Sequence, residues 1–581
     1  MPKDQASVPL PAPASSGKVL LAALVIALAG LAAYSNSFQG VFLLDDKASI
    51  IENATIQHGW FAALSTPTGG ETTTGRPLVN LSLALNYQLS GLSAWGYHAF
   101  NLVIHLLAAL TLFGLVRRTL ELPKLRMSFG VQAWPVALAA ALFWMLHPLQ
   151  TESVTYVVQR AESLMGLFYL LTLYCLARGL AQPRADAWLV FSVSSCLLGV
   201  FCKEVIVTAP VMALLYDRTF VAGTFALALR QRRKFYAALA ATWLPLGWLV
   251  SHAGTRAGSA GFGAGVSPWA YALTQAGALV DYLRLSVWPQ PLSFDYGMDL
   301  AKNATEVAPQ LALVLALLIG TGYLLWRRPM PGFLGAWFFV VLAPSSSIVP
   351  VITETEAEHR MYLPLAALAV GVALGLHAWL GRRAFVPALA LAAAFGSLTI
   401  ARNRDYHSEM RIWQDDTLKH PALARAHENL AVALYDERRL PESLQEFYHA
   451  LELRPIFPEC ENNLGKALAV MGALDDAADC FTKAAQEFSR PHEQAIAFFN
   501  LGNSLGELGR FDDALAAYTQ SAQLARDNAA THNLRGYVLA KLGRYTEAIA
   551  EYEQALKLQP DFPQCSANLD DARKRLEQHN P

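Results

Sequence analysis

Charged residues are scarce in this chain. Asp, Glu, Lys and Arg make up 16% of its 581 residues, whereas hydrophobic residues make up 54%. A soluble globular protein carries about a quarter charged residues, so this deficit excludes a wholly soluble protein and requires membrane burial for much of the apolar content. The formal net charge is −1, and the sequence therefore also lacks the basic excess that would suggest a nucleic-acid partner.

Cysteine pairs with metal-binding or redox spacing are also absent from the sequence. The six cysteines include no Cys-X-X-Cys motif and no other metal-ligand spacing. We therefore predict that they are packing residues, with a disulfide between Cys460 and Cys480 as the alternative.

The sequence contains many long apolar segments. A helix needs about 20 apolar residues to cross a bilayer, and by this measure the sequence predicts eleven spans, near residues 18–38, 97–116, 131–147, 162–178, 187–202, 204–217, 235–252, 307–326, 331–349, 361–380 and 384–401. The segment 271–288 is left out because Asp281 and Arg284 interrupt it at helical spacing, as in an interfacial helix. Residues 1–17 are predicted to be a cytoplasmic tail, and the first span an uncleaved signal anchor.

Basic residues set the predicted orientation, because short cytoplasmic loops are enriched in Lys and Arg. With the N-terminus inside and eleven spans, every basic cluster between spans lies in the cytoplasm: Arg117, Arg118, Lys124 and Arg126; Arg178 and Arg184; 230–234; Arg327 and Arg328; Arg382 and Arg383. The odd span count places the C-terminal part in a bacterial periplasm or an endoplasmic reticulum lumen. The first outside loop, 39–95, is large.

The C-terminal part of the sequence is repetitive. Small residues at Ala431, Gly465, Gly502 and Gly536 are spaced by 34, 37 and 34 residues, close to the period of tetratricopeptide repeat (TPR) helix pairs. We predict a linker over 402–420 and, over 421–581, an α-solenoid of about four repeats with a polar capping helix. Its concave surface suits an extended peptide.

Ionisable residues gather at the predicted outside ends of the spans, where they are costly and usually functional. They are Asp45, Asp46 and Arg76 around the first loop, and then His147, Glu152, Arg160, Lys203, Glu204, Glu358, His359 and Arg360. One interpretation is structural: the charges pair with one another and fix loops at the membrane interface.

The same residues also have a chemical interpretation. A carboxylate can act as general base toward a hydroxyl, and cations can bind a lipid-anchored phosphate and stabilise it as a leaving group. This combination predicts a glycosyltransferase with a lipid-phosphate sugar donor. Asp45 and Asp46 are the candidate bases, because they adjoin a span end and have only Lys47 beside them.

Two other classes of protein stay open. A transporter or flippase with a docking module would carry charges at mid-span and open to both sides, whereas most charges here gather at one face. A membrane-anchored TPR assembly scaffold without catalysis would need far fewer spans.

Several motifs resemble those of the transmembrane-and-TPR (TMTC-type) O-mannosyltransferase family. They are LLDDKASIIENATI, LHPLQTESVTYVVQRAE, CKEVIVTAPVMALLYD, VWPQPLSFDY and APSSSIVPVITETEAEHRMYLP, in this order and followed by the repeats. The resemblance covers nearly the whole chain and implies an all-α protein, with a GT-C-like transmembrane catalytic domain over 18–401 before the TPR solenoid. The Ala- and Leu-rich composition with short loops is typical of a bacterial member, which would reside in the inner membrane.

The resemblance also implies a reaction and its residues. A sugar, expected to be mannose, would pass with inversion from a polyprenyl-phosphate donor to Ser or Thr hydroxyls of a protein on the extracytoplasmic side, and the TPRs would bind that acceptor. Asp45 or Asp46 would be the base. The expected phosphate-binding residues are Arg360, Arg160, His147, Lys203, His359 and Arg76, and the expected supporting carboxylates are Glu152, Glu204 and Glu358.

The implied reaction requires no metal and no cofactor beyond the lipid-linked donor. Asp45, Asp46, Glu152 and Glu204 nevertheless offer oxygen ligands for a divalent ion if the site behaves like an oligosaccharyltransferase. One departure from the family pattern is His359, which stands where the family has Glu, with Glu358 one place earlier.

Overall fold

The computed structural model describes residues 15–67, 72–181, 186–252, 266–297, 300–346, 351 and 354–579. These residues form helices and no β-strands, which confirms the predicted all-α class. The chain divides into two compact units, Met1–Ile412 and Trp413–Pro581, and the boundary falls within the helix Glu409–Lys419.

The described residues of the first unit form a bundle of apolar helices joined by short 3-10 and π turns. In chain order the helices are α1 Ser16–Ala33, α2 Ala54–Gln57, α3 Trp60–Leu64, α4 Pro77–Ser90, α5 Ala94–Leu120, α6 Pro123–Phe129, α7 Ala133–Leu146, α8 Thr151–Thr155, α9 Arg160–Leu180, α10 Asp186–Val200, α11 Ala209–Tyr216, α12 Phe225–Gln231, α13 Arg233–Ala241, α14 Trp243–His252, α15 Pro268–Val287, α16 Ala308–Arg327, α17 Pro329–Leu342, α18 Leu365–Leu380 and α19 Phe385–Asn403.

Seven helical stretches among the described residues are long and apolar enough to cross a membrane, so the chain is an integral membrane protein. They are Ser16–Gln39, Ala94–Leu120, Pro123–Leu146, Val157–Leu180, Glu204–Ala222, Ala308–Arg327 and Leu365–His407. The last stretch contains both α18 and α19, which meet at Gly381 with φ +55°, and α10 and α17 are shorter apolar helices. Eleven spans and their orientation stay predictions, because length and composition identify only these stretches.

The large first loop folds into short helices rather than an extended strand. Asn80 in α4 joins them, because its Nδ2 donates to Thr55 Oγ1 in α2 and to the Ala63 carbonyl in α3, at 2.8 and 2.9 Å. Asn53, the N-cap of α2, donates in turn to Asn80 Oδ1 at 2.9 Å. These buried hydrogen bonds fix the loop against the start of α4, where the candidate site begins.

The second unit consists of paired antiparallel helices. Its helices are α21 Ala424–Asp436, α22 Leu440–Leu453, α23 Pro458–Val470, α24 Leu474–Glu487, α25 Pro491–Glu507, α26 Phe511–Leu524, α27 Ala529–Lys541, α28 Tyr545–Leu558 and α29 Pro563–His579; α20 Glu409–Lys419 comes before them. Each of the four small residues of the repeat pattern lies in the first helix of one pair.

Close helix contact explains these small residues. A Cβ added at Gly465, Gly502 or Gly536 would lie 2.7, 2.6 or 2.8 Å from a ring atom of Phe481, Tyr518 or Tyr552, respectively, in the partner helix. The six cysteines are free thiols in this structure, five of them buried, in agreement with packing roles. The alternative disulfide between Cys460 and Cys480 is therefore not formed here.

Candidate functional site

The adjacent carboxylates Asp45 and Asp46 lie in different environments. Asp46 is fully buried, and its two oxygens accept hydrogen bonds from the backbone N–H of Leu43 (3.0 Å) and Val158 (2.7 Å). Burial raises the pKa of Asp46 to about 8, and the two amide hydrogen bonds oppose this shift. Asp46 thus fastens the first loop to the start of the span that contains Val158.

Asp45, in contrast, is exposed. Its Oδ2 accepts a hydrogen bond of 2.6 Å from Thr72 Oγ1, and its backbone N–H donates to the Tyr156 hydroxyl oxygen at 3.0 Å. Of the two neighbouring carboxylates, Asp45 is therefore the accessible one.

A cleft beside this loop combines cations with an apolar wall. It leaves about 10 Å³ for a water-sized molecule in this structure, and its lining residues are Gly75, Arg76, Val200, Lys203, Glu204, Leu246, Leu249 and Val250. The cations lie at the start of α4 and after α10, and α14 supplies the apolar wall. The lining thus places two cations and one carboxylate beside aliphatic side chains.

The two cations of the cleft are held by carboxylates. Arg76 Nη2 lies 3.4 Å from Glu204 Oε2, and Lys203 Nζ lies 2.7 Å from Glu162 Oε2. Burial lowers the pKa of Arg76 to about 10 and also lowers the pKa of Lys203, while Glu162 acts to raise both. Arg76 also interacts with the charge of Asp45, so the exposed carboxylate and this cleft form one electrostatic cluster.

Arg360 and Arg160 lie among backbone carbonyls. Arg360 donates to the carbonyl oxygens of Ser345 and Thr355 at 3.2 and 3.1 Å, and also to that of Glu354. Arg160 donates to Asn101 Oδ1 at 2.6 Å and to the carbonyl oxygens of Ser82 and Tyr97 at 3.1 Å each. Both buried guanidinium groups connect chain segments, as the structural interpretation of the charges expects.

The two histidines of the predicted site are likewise used in internal contacts. His147 Nε2 lies 3.2 Å from the Ser286 carbonyl oxygen, and its Nδ1 accepts from the Leu149 N–H. Glu152 hydrogen-bonds to both the backbone N–H and the Nδ1 atom of His359, each at 2.7 Å. Burial raises the pKa of Glu152 to about 7 and lowers that of His359 to about 3, so a neutral His359 donates its Nδ1–H to Glu152.

Glu358 lies in a second internal cluster. Its Oε1 accepts a hydrogen bond of 3.0 Å from the Tyr296 hydroxyl and lies 3.5 Å from Arg402 Nη2. The structure therefore gathers Asp45, Arg76, Lys203 and Glu204 around the cleft region, whereas the other predicted residues hold its supporting loops together.

Thr72 and Tyr156, which hydrogen-bond to Asp45, were missed by the sequence reasoning. Thr72 lies in the run TTTGR just before α4, and Tyr156 lies between α8 and α9. Neither side chain carries a charge or belongs to a spacing pattern, so the sequence contains no signal for their contact with Asp45.

The carboxylates named for a divalent ion are not arranged as one ligand set. Among the residues that the structure describes, no group of three or more His, Cys, Asp or Glu side chains could hold a metal ion. The Asp46 oxygens face backbone amides, and the Glu152 oxygens face His359.

Comparison with known proteins identifies relatives for both parts of the chain. A family model described as tetratricopeptide repeat matches residues 499–563. Protein O-mannosyl-transferase Tmtc2 of Drosophila melanogaster is 28% identical over 326 residues, which cover 52% of this chain and 33% of the fly protein. Protein O-mannosyl-transferase TMTC1 of Homo sapiens is 25% identical over 517 residues, which cover 76% of this chain and 56% of the human protein.

The relatives confirm the resemblance to the transmembrane-and-TPR O-mannosyltransferases. A shorter match of 167 residues, to protein O-mannosyl-transferase tmtc2 of Xenopus laevis, reaches 34% identity and covers 27% of this chain and 18% of the frog protein. The chain thus spans between a third and about half of the length of the fly and human relatives. Among solved structures, the TPR protein YrrB covers 28% of this chain and 84% of its own, with 20% identity and a TM-score of 0.26.

Proposed function

We propose that this relative of the protein O-mannosyl-transferases is a membrane glycosyltransferase with a GT-C-type transmembrane domain. It transfers a sugar, mannose by analogy with the names of its relatives, from a polyprenyl-phosphate donor to a Ser or Thr hydroxyl of a protein. One observation carries the proposal: an exposed carboxylate lies within electrostatic range of a cleft that has two cations and an apolar wall. The site would face the periplasm of a bacterium or the lumen of the endoplasmic reticulum, with the TPR unit on the same side.

Asp45 is the general base in this reaction. Its carboxylate takes the proton of the acceptor hydroxyl while the hydroxyl oxygen bonds to the anomeric carbon of the sugar. The bond between that carbon and the donor phosphate oxygen breaks on the opposite side, which inverts the anomeric configuration. The exposure of Asp45 supports this role, whereas the buried Asp46 holds the loop.

Arg76 and Lys203 bind the donor phosphate. The leaving polyprenyl phosphate gains negative charge as the glycosidic bond breaks, and two cations in a partly desolvated cleft stabilise that charge more in the transition state than in the ground state. Leu246, Leu249 and Val250 form the wall against which the first isoprene units pack. Donor binding competes with Glu204 and Glu162 for the two cations.

The remaining predicted residues position these groups. Arg160, Arg360 and His147 donate to carbonyl oxygens, and the pair of Glu152 and His359 ties the segment before α18 to the segment that begins α8. Their loss would disturb the site through its supports rather than through contact with the sugar.

Substitution of each carboxylate of the acidic pair tests the base assignment. Asp45→Asn should lower transfer from polyprenyl-phosphate mannose by about 10²- to 10⁴-fold, the usual contribution of a general base, with unchanged thermal stability. Asp46→Asn, in contrast, should lower thermal stability, because only one of the two terminal atoms of an amide can accept a hydrogen bond. Full transfer by Asp45→Asn would refute the assignment.

The TPR unit is proposed to bind the acceptor protein. Paired helices of this type form a concave surface suited to an extended segment, and a tethered site raises the effective concentration of a weakly bound acceptor. Deletion of 420–581 should therefore impair transfer to protein more than hydrolysis of the donor. Equal loss of both activities would contradict this role.

A further inference from the structure

We infer that Thr72 is a positioning residue that joins the two halves of the reaction: its hydroxyl holds the Asp45 carboxylate, and its carbonyl oxygen holds the Arg76 guanidinium. The inference rests on the proposed function, because it assigns Thr72 to act through the base and through the phosphate-binding cation.

The geometry of a tight turn carries this inference. Thr72 Oγ1 donates to Asp45 Oδ2 at 2.6 Å, and Arg76 Nη1 donates to the Thr72 carbonyl oxygen at 2.8 Å. The Arg76 N–H closes the turn on the Thr73 carbonyl oxygen at 3.0 Å. One residue thus contacts both the carboxylate that would accept the proton and the cation that would stabilise the departing phosphate.

A second threonine holds the same turn from the other side. The Gly75 N–H donates to Thr66 Oγ1 at 3.0 Å, and Gly75 has φ +71°, a backbone conformation that favours glycine. Thr66 hydrogen-bonds only the backbone of the turn in this contact, so the chain supplies a natural comparison for the Thr72 hydroxyl.

The hydroxyl of Thr72 orients a carboxylate that has charged neighbours on several elements. The groups within electrostatic range of Asp45 are Asp46 beside it, Tyr156 before α9, Arg76 at the start of α4, and Glu354 in the segment before α18. A charge-assisted hydrogen bond fixes one oxygen of such a carboxylate. The other oxygen is then directed toward the acceptor.

Substitution of Thr72 by valine removes the hydroxyl and keeps both the shape and the carbonyl. In the full chain, reconstituted in lipid nanodiscs, Thr72→Val should lower kcat about tenfold, the usual effect of one charge-assisted hydrogen bond. The donor KM should stay within about twofold, because the carbonyl contact with Arg76 remains. Thr72→Ser keeps a hydroxyl at this position and should restore kcat.

The matched control is Thr66→Val. This change weakens the turn without removing a donor from Asp45, so it should lower kcat less than Thr72→Val does. Equal losses of kcat for Thr66→Val and Thr72→Val would show that Thr72 only stabilises the turn and would overturn the inference. A wild-type kcat for Thr72→Val would overturn it too.

Chemical labelling separates this inference from the proposed function. Carbodiimide coupling of an amine to Asp45 at one fixed pH, followed by mass spectrometry, reports how readily that exposed carboxylate reacts, without any sugar transfer. Thr72→Val should raise the labelling rate, because Asp45 Oδ2 loses its hydroxyl partner, and Thr66→Val should not. If the wild-type chain transfers no sugar but this change in rate occurs, the proposed function fails while the hydrogen bond to Asp45 stands; an unchanged rate rejects the role of Thr72.

Discussion

In the two units of the chain, polar groups hydrogen-bond to partners that lie at very different distances along the sequence. In the membrane unit, the carboxylate of Asp46 accepts from a backbone amide 112 residues away, and that of Glu152 from one 207 residues away. In the TPR unit, the Ser443 hydroxyl donates to a carbonyl 12 residues away, and two His–Glu pairs are each separated by 19 residues. Local contacts repeat with the sequence period, whereas the long-range contacts of the membrane unit each occur once.

This difference predicts where single substitutions are tolerated. A repeat that loses one contact keeps its neighbours, because stability in a solenoid is approximately a sum over repeats and interfaces. A buried charge in the membrane unit has no equivalent elsewhere, so its loss leaves several polar partners unsatisfied at once. The following substitutions test this contrast.

The largest effect is expected at Arg160 in the membrane unit. Arg160→Met removes a buried donor from Asn101 Oδ1 and from the carbonyl oxygens of Ser82 and Tyr97. Each buried acceptor left without a hydrogen bond costs about 1–3 kcal/mol. Heating the detergent-solubilised chain with a thiol-reactive probe should show earlier labelling of Cys196, which is a free and buried thiol of this unit.

Arg76→Met is the control for that experiment. Arg76 is also an almost buried arginine, but it lines the open cleft and pairs with the partly exposed Glu204. Its loss should reduce binding of polyprenyl phosphate far more than it changes Cys196 labelling. Equal destabilisation by the two substitutions would show that Arg160 is no more structural than a cleft residue.

The repeat unit was the more predictable of the two from sequence. Glycine is required at 465, 502 and 536 because each residue faces an aromatic ring of the partner helix. The periodic spacing of these glycines is visible in the sequence and predicts the helix pairs directly. The all-α class followed from the resemblance to the transmembrane-and-TPR family and is confirmed in the described residues.

The candidate site could be predicted only as a set of charges. The sequence placed Asp45, Arg76 and Lys203 among eleven candidates, but it could not separate Asp45 from Asp46, because that difference depends on the distant amide of Val158. Arg360 was among the residues expected to bind the donor phosphate, yet the carbonyl oxygens that surround it belong to loops whose approach no spacing reveals. Long-range hydrogen bonds therefore limit sequence reasoning in this unit.

An intermediate effect is expected at Gly502 in the TPR unit. A Cβ at this position would lie 2.6 Å from the Tyr518 ring, so Gly502→Ala forces the two helices apart. Overpacking of this kind costs about 1–3 kcal/mol. Hydrogen exchange of 491–524 in the full chain should become faster, whereas labelling of Cys196 in the membrane unit should not change.

Gly506 supplies the matched control in the same helix. A Cβ at Gly506 meets no atom within 4 Å. Replacing a helical glycine with alanine stabilises a helix by about 1 kcal/mol, so Gly506→Ala should slow exchange in α25. If both alanine substitutions act in the same direction, the contact between Gly502 and Tyr518 is not what sets the spacing of the repeat.

The smallest effect is expected from pH, through two equivalent histidines of the TPR unit. His427 and His532 each place Nδ1 against a glutamate, Glu446 at 2.6 Å and Glu551 at 2.8 Å. Their Nε2 atoms lie 3.1 and 3.3 Å from the carbonyl oxygens of Pro421 and Arg526. Both nitrogens of each ring thus face acceptors, and only the doubly protonated ring can donate to both.

These contacts fix the direction of the pH dependence. The pKa of His427 is raised overall: burial lowers it, but the hydrogen bonds to Glu446 and to the Pro421 carbonyl together outweigh burial. The pKa of His532 is also raised, because the hydrogen bond to Glu551 outweighs the opposing effect of burial. A pKa raised on folding adds stability that is complete at low pH and is lost as pH rises through the folded-state value. The TPR unit should therefore be more stable at pH 6 than at pH 8.5, by less than about 1 kcal/mol per histidine, because the pairs are partly solvated.

The urea midpoint of residues 529–558 measures this dependence for the fourth repeat. It can be read in the full chain from protection against hydrogen-exchange pulses that are all given at one pH after equilibration at pH 6 or 8.5. His532→Gln should flatten the dependence in this segment and leave that of 424–453 unchanged, because His427 and Glu446 form a separate pair. Arg535, which lies 3.2 Å from Glu551, keeps that glutamate partnered in the variant. A midpoint that rises with pH in the wild-type chain would mean that the neutral ring is the stabilising form, and the two pairs would then be neutral hydrogen bonds rather than ion pairs.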